Sequence, residues 1–367
     1  MKKILLTAAL LCACVGASAQ YKYEFTDVKV NAATPVKNQA STGTCWCFAT
    51  VSFLESELLR MGKGEYDLSE MFIVRNNYIR RMNDNYLRRG RGNVSQGSIA
   101  HMNIWVMDNV GLMPEEVYDG INYDSATHNH GELAKWVKTV SDAAVEMKTP
   151  LKPEIVNGVL DAYLGQVPET FTYKGKEYTA KSFAESLGLK AEDYVELTSF
   201  SHHPFYELVP VEIPDNWDHA LMYNLPLDEF MQVIDHAINA GYTVCWDGDV
   251  SEPGYAFQHY VAVNTDEDLR KAKELTAKAV EKPVTQESRQ KGFENFTTTD
   301  DHLEHLVGIA KDQDGVKYYK IKNSWGTQRN GTGYHYFSEE YMKAKTVSIL
   351  VHKNSIPKAT KAKLGIK

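Results

Sequence analysis

The sequence predicts an α+β fold, helical in its first half and β-rich in its second, and three observations carry that expectation. From Cys45 the chain runs without Gly or Pro to Gly62, with Phe48, Val51, Leu54, Leu58 and Leu59 recurring at three- and four-residue steps, the period of a helix with one buried face. A second apolar helix is expected over residues 99–109, stopping at Gly111. Near the other end, two alternating apolar runs flank Asp312-Gln-Asp-Gly315, the pattern of a β-hairpin.

A chain of 367 residues that is 43% hydrophobic and 24% charged has ordinary globular composition and can bury one large domain or two lobes. Met1-Lys-Lys, an apolar run over residues 4–15 and then Ala17-Ser-Ala19 read as an export signal cut after Ala19, leaving Gln20 as the new terminus. It is too short for a permanent membrane anchor. Leu11-Cys-Ala-Cys14 offers a second reading, lipid anchoring through Cys14. Loss of residues 1–19 takes away two lysines and no acids, so the net charge moves from −8 to −10, and a chain this acidic is a poor non-specific nucleic-acid binder. Cys12 and Cys14 leave with the signal. Cys45, Cys47 and Cys245 remain, too few for a disulfide framework.

Taken in order, Asp67-Leu-Ser-Glu-Met71 has the residues of a capped helix start. Arg80, Arg81, Arg88, Arg89 and Arg91 suit a solvated loop or an ion-pair network. Residues 150–228 read as an insert: a helix over 153–164, a hairpin about Lys174-Gly175 within residues 171–178, a short helix from Ser182, and then Ser199-Phe-Ser-His202-His203-Pro. Adjacent His202 and His203 would point apart in an extended chain, which disfavours a metal site and leaves a turn or surface pair. Leu227, Phe230, Met231, Ile234 and Ala237 mark a helix ending at Gly241, and residues 242–246 read as the following strand. Asp247-Gly-Asp249 is first of all a turn, with both carboxylates available to a substrate amine. Residues 266–290 are charged and helix-prone, an expected solvated excursion between two core strands.

The chemistry gathers at the two ends. Cys45 would open its helix, where half a positive charge and unpaired N–H groups lower a thiol pKa, most effectively beside an imidazolium. Cys47 lies about 200° further round the helix and packs inward. Three histidines are candidate bases: His259, His302 and His305. The late hairpin can bring His302 beside Asn323, whose amide oxygen would hold the imidazole in one tautomer while Trp325 screens that bond from water. His305, three residues on, points to the other face of the strand. A metal reading of His302-x-x-His305 with Asp300, Asp301 and Glu304 lacks helical ligand spacing; no metal and no cofactor is expected.

Val36-Lys37-Asn38-Gln39 followed by Gly43-x-Cys45-Trp46-x-Phe48, with Asn323-Ser-Trp325-Gly326 downstream, resembles the papain-like cysteine peptidases. Thr42 stands where papain has a disulfide-forming cysteine, a departure shared with the bleomycin hydrolase and aminopeptidase C branch, and Val211-Glu-Ile-Pro-Asp-Asn-Trp217 resembles that branch's insert. The resemblance implies a two-lobed fold: a helical lobe over about 40–150, the insert over 150–228 and a β-rich lobe over 229–352. It implies peptide hydrolysis through an acyl-thioester. Cys45 would attack, His302 would carry the proton because it stands six residues before Gly308, Asn323 would orient it, and Gln39 would bind the oxyanion with the Cys45 N–H. Gly97 would offer its backbone to substrate where Ser98 replaces a second glycine of the family. The family's own C-terminal end lies in the cleft and limits attack to the amino end of a peptide; the tail after Val351 is short and basic and does not match that terminus. Expected partners are a peptide substrate, with no nucleic acid and no transmembrane segment; the family's hexamer is not carried over, and a homo-oligomer stays open. Two other readings of the same residues are an inactive peptide-binding module and an acyl transferase or ligase.

Overall fold

The computed structural model describes residues 20–367; the expected export signal and Cys14 lie outside them. In chain order the elements are β1 (Phe25–Val30), α1 (Cys45–Arg60), α2 (Glu70–Leu87), α3 (His101–Asn109), α4 (Gly131–Met147), α5 (Pro153–Leu164), β2 (Phe171–Tyr173), β3 (Lys176–Tyr178), α6 (Ala180–Leu187), β4 (Tyr194–Thr198), β5 (Leu208–Pro210) and β6 (Leu221–Asn224). There follow α7 (Leu227–Asn239), β7 (Val244–Gly248), β8 (Tyr255–Ala256), β9 (Val261–Ala262), α8 (Gln286–Glu294), β10 (His302–Asp312), β11 (Lys317–Lys322), β12 (Tyr334–Ser338), α9 (Glu339–Lys345), β13 (Thr346–His352) and α10 (Lys358–Leu364).

One large sheet runs β5-β6-β4-β13-β7-β10-β11-β12-β9-β8, with β1 on β10. Leu303, Cys245 and Leu350 on one face pack into the core shared with α1 and the other early helices. Leu306, Trp246 and Ile349 on the opposite face pack against α7, α9 and α10, as the period-2 alternation of strands requires. The early part of the insert stays with the helices, its Phe183 ringed by Phe171, Tyr173 and Tyr178. Its later part enters the sheet, β4 pairing antiparallel with β13.

Two expectations need correction. The α1 helix does not have one buried face: Trp46 to Leu58 are all buried, because the helix is the wall between the helices and the sheet. The polar residues that suggested a wet face are partnered instead. Glu55 accepts from Thr34 Oγ1 at 2.5 Å and Leu68 N at 2.9 Å, and Ser52 Oγ lies 2.8 Å from His305 Nδ1 and 2.7 Å from Lys322 Nζ. A buried polar atom stays only where it is paired. Residues 266–290 are mostly exposed and run between β9 and β10 as expected, but they are not helical before Gln286, and Leu269, Leu275 and Ala279 anchor them in a third core with Tyr23, Val261, Val263 and Tyr318.

Residues 353–366 lie on the β-rich side. Leu364 joins the core under α7, and Lys363 Nζ meets Glu229 Oε1 at 2.6 Å. Among the described residues no helix is long and apolar enough to cross a membrane.

Phe53 joins the lobes, its ring edge-on to His305 of β10 and Tyr194 of β4. Phe53→Ala is expected to destabilise the protein by about 3–5 kcal/mol in urea unfolding followed by tryptophan fluorescence. A loss below about 1 kcal/mol would mean that this contact does not hold the lobes together.

Candidate active site

Cys45 is the first residue of α1, where Thr44 caps the helix without a side-chain bond. The residue as a whole is partly exposed while its thiol is packed round by protein, and burial pushes the thiol up to about 12, with the Asp215 and Asp300 carboxylates adding to the rise and the Leu303 and Trp46 N–H groups opposing it. The Leu303 contact places the sulfur at the start of β10, next to His302. Cys47 points inward as expected, its thiol 3.3 Å from both Glu70 O and Asn103 Oδ1. Cys245 is buried against Thr50.

The hairpin of β10 and β11, in register His305 with Lys322, brings His302 Nε2 to 3.0 Å from Asn323 Oδ1. The amide cannot turn over. Its Nδ2 donates to Tyr255 Oη at 2.9 Å, Tyr255 Oη donates to Glu304 Oε1 at 2.9 Å, and His335 Nε2 holds Glu304 Oε2 at 2.6 Å. Asn323 Oδ1 therefore faces the imidazole, Nε2 carries the proton, and Nδ1 is left as the bare, accepting nitrogen. Burial lowers the His302 pKa while Glu304 and Asn323 oppose the fall. Trp325 covers the ring with centroids 4.8 Å apart and itself lies under the Arg329 guanidinium.

The other candidate bases are engaged elsewhere. His259 Nε2 lies 2.8 Å from Ala272 O, and His305 faces Ser52 on the far side of the strand, so its spacing from His302 makes no metal pair. His202 and His203 are a turn pair, but their rings do not point apart: both reach Glu212, at 3.0 and 2.8 Å. The chain turns there, so the alternation of an extended strand does not apply.

Gln39 is fixed by Ser324, whose Oγ donates to Gln39 Oε1 at 2.6 Å and whose carbonyl accepts from Gln39 N at 2.8 Å. Gln39 Nε2 donates one hydrogen to Thr42 O at 2.8 Å and has a second to offer. With the first-turn N–H of Cys45, it forms a pair of donors for an oxyanion. Gln96 and Gly97 run beside this helix start: Gly43 N donates to Gln96 Oε1 at 2.8 Å and Trp46 Nε1 to Gln96 O at 3.0 Å. Gly97 has its carbonyl taken by Arg81, and a Cβ there would run into the Asp215 carboxylate.

Sequence reasoning missed Tyr255, Ser324, Asp215 and His335, and met Asp300 and Glu304 only as metal ligands. Ser324 could have been found, since it lies inside the Asn-Ser-Trp-Gly run. The arginine run is ion-paired at three members: Arg80 meets Asp218 at 2.5 Å and stacks on Trp105 and Trp217, Arg81 lies 4.0 Å from Asp215, and Arg88 meets Asp84 at 2.8 Å. The contacts of the first two pin the end of the insert over the cleft. Beside it a cavity of about 550 Å³ is lined by Ile213, Pro214, Phe293, Phe296 and Asp300, among others.

Residues 95–366 match the model of the Peptidase C1-like family. That span begins after the α1 helix, so Cys45 and Gln39 rest on the geometry above. Aminopeptidase C of Lactococcus lactis subsp. cremoris is 23% identical over 362 residues, covering 87% of this chain and 81% of that protein. Aminopeptidase G of Lactobacillus delbrueckii subsp. lactis is 22% identical, covering 88% and 82%. The crystal structure of PepW from Lactobacillus rhamnosis HN001 superposes with a TM-score of 0.70 at 17% identity, over 93% of this chain and 84% of that one, which establishes a common fold.

Two outcomes follow from this arrangement. His302→Ala is expected to slow iodoacetamide alkylation of Cys45 about 100-fold at pH 7, with the rate climbing only as pH approaches the thiol's own value of about 12; an unchanged pH profile would separate the two residues. Tyr255→Phe leaves the Asn323 N–H buried without an acceptor, so a loss of about 1–3 kcal/mol is expected in urea unfolding together with slower alkylation.

Proposed function

Since the chain belongs to the Peptidase C1-like family, we propose that it is an exported cysteine aminopeptidase, releasing residues from the amino end of peptides through an acyl-thioester. The observation that carries the reading is the His302–Asn323 bond of 3.0 Å at the start of the strand whose Leu303 N–H meets the Cys45 sulfur. The aminopeptidase half draws its support from relatives that bear that name over most of their length. Export rests on the basic, apolar and small-residue series of residues 1–19, and it places the enzyme in a periplasm or outside the cell. Residues 20–367 act as one peptidase domain.

In the reaction the Cys45 thiol gives its proton to His302 Nδ1 and the sulfur attacks the scissile carbonyl. Gln39 Nε2 and the Cys45 N–H receive the oxyanion. As the C–N bond breaks, the imidazolium returns its proton to the leaving amine, and a thioester remains on Cys45. Water, deprotonated by His302, then attacks the thioester, and the acid leaves as the thiol is restored. Asn323 keeps Nε2 protonated and Nδ1 facing the chemistry through every step.

Purified protein is expected to hydrolyse aminoacyl coumarin amides with a free α-amine and to spare their N-acetyl counterparts. An epoxide or chloromethylketone should label Cys45 stoichiometrically, and Cys45→Ala should lower turnover by about 10,000-fold or more. Rapid cleavage of blocked peptides with none of free aminoacyl amides would refute the aminopeptidase reading. Labelling without turnover on any amide would leave a peptide-binding module, and products joined to an added amine acceptor would indicate a transferase.

A further inference from the structure

An aminopeptidase must recognise a cation, the α-ammonium of its substrate, and it must deny room to any residue preceding the one it removes. Both requirements are met beside Cys45 by parts of the chain that the triad does not use. Asp215, at the end of the insert, presses its carboxylate against Gly97, the residue whose backbone the family resemblance would offer to an extended peptide. Asp300 stands two residues before His302, and Asp247 pairs in register with Leu303. Asp215 and Asp300 are the two acids whose charge reaches the Cys45 sulfur.

We propose that Asp215 and Asp300, with Asp247 behind them, form the subsite that takes the substrate's α-ammonium, and that Asp215 also blocks the path of a longer chain. This rests on the aminopeptidase reading and gives it named residues.

The second observation is a buried carboxylate that the rest of the protein does not satisfy. Asp247 is 1% exposed. One of its oxygens accepts from Ser348 Oγ at 2.8 Å, while Asp247 Oδ1 and the buried Asp300 Oδ2 receive no donor from any other described residue. The two carboxyls act on each other, and burial pushes Asp247 up to about 7 and Asp300 well above its usual range. Among the described residues the one ion pair these three acids make is that of Asp215 with Arg81, at 4.0 Å, so Asp247 and Asp300 have no cation of their own for an incoming ammonium to displace. Asp300 also borders the cavity of about 550 Å³.

The placement has a consequence for the nucleophile. The carboxylates that bind the ammonium add to the rise that burial imposes on the Cys45 thiol, so a bound α-amine offsets the part of that rise that is theirs. Substrate arrival would then activate the sulfur.

The test compares Asp215→Asn and Asp300→Asn with the unaltered protein on three substrates: a free aminoacyl coumarin amide, its N-acetyl form, and an N-acetyl-lysyl-aminoacyl amide, whose cation is a side chain. Each variant should lower the kcat/KM ratio of free over acetylated substrate by about 30-fold or more. Iodoacetamide should alkylate Cys45 faster in both variants at pH 7 while their urea-unfolding midpoints stay at that of the unaltered protein, since misfolding would also expose the thiol and speed its alkylation. The proposal is overturned if the ratio holds or alkylation slows while the unaltered protein still prefers the free amine; the aminopeptidase reading then survives alone. It is also overturned if the acetyl-lysyl substrate is the preferred one and loses most in the variants, which would assign the acids to a basic side chain. Absence of any preference in the unaltered protein refutes both.

Discussion

The pairing of β10 with β11 and the seating of α1 on that same strand are the constraint from which the rest of the molecule follows. The hairpin brings an imidazole and a carboxamide 3.0 Å apart, and the strand's next residue offers its N–H to the sulfur that heads α1. Three groups far apart in sequence thus depend on one strand for their alignment. Its neighbours reinforce it: β7 and β1 also pair with β10, and almost every residue from His302 to Asp312 is buried. A nucleophile and base held by packed regular structure vary less in position than a pair carried on loops, and that accuracy is what proximity catalysis needs.

Around the triad the protein has arranged opposing fields. The helix start favours a thiolate, while burial and two aspartates oppose it. A carboxamide and a more distant glutamate support a charged imidazole that burial disfavours. The resting site therefore lies on the side of the neutral pair, and a cation entering the cleft shifts it towards the ionised one. The chain Asn323–Tyr255–Glu304–His335 matters for the same reason. It fixes which way one amide faces, and so which nitrogen of His302 accepts a proton.

Much of this was legible in the residues themselves. Helix period and glycine stops located α1, α3, α5 and α7, and the turn at Asp312-Gln-Asp-Gly315 announced the hairpin that joins His302 to Asn323. The errors have a common physical source. Ser52 and Glu55 have the spacing of a solvent face, and only tertiary contact reveals that their partners are Thr34, His305 and Lys322. Polar residues buried by tertiary contact look the same in a sequence as polar residues in water. The loop of residues 266–290 deceived in the same way, its charges masking Leu269 and Leu275. Asp215 carried no signal at all, because its meaning comes from lying against a glycine 118 positions earlier.

Between the lobes Lys37 sits among Glu55, Asp67 and Glu70 at 3.5, 2.6 and 2.9 Å, and Lys322 is buried on Thr34 and Ser52 with burial lowering its pKa to about 8. Prising the halves apart would strand these charges in a half-dry seam, a cost that rises steeply with each one left unpaired. The groove consequently behaves as a jaw of fixed gape.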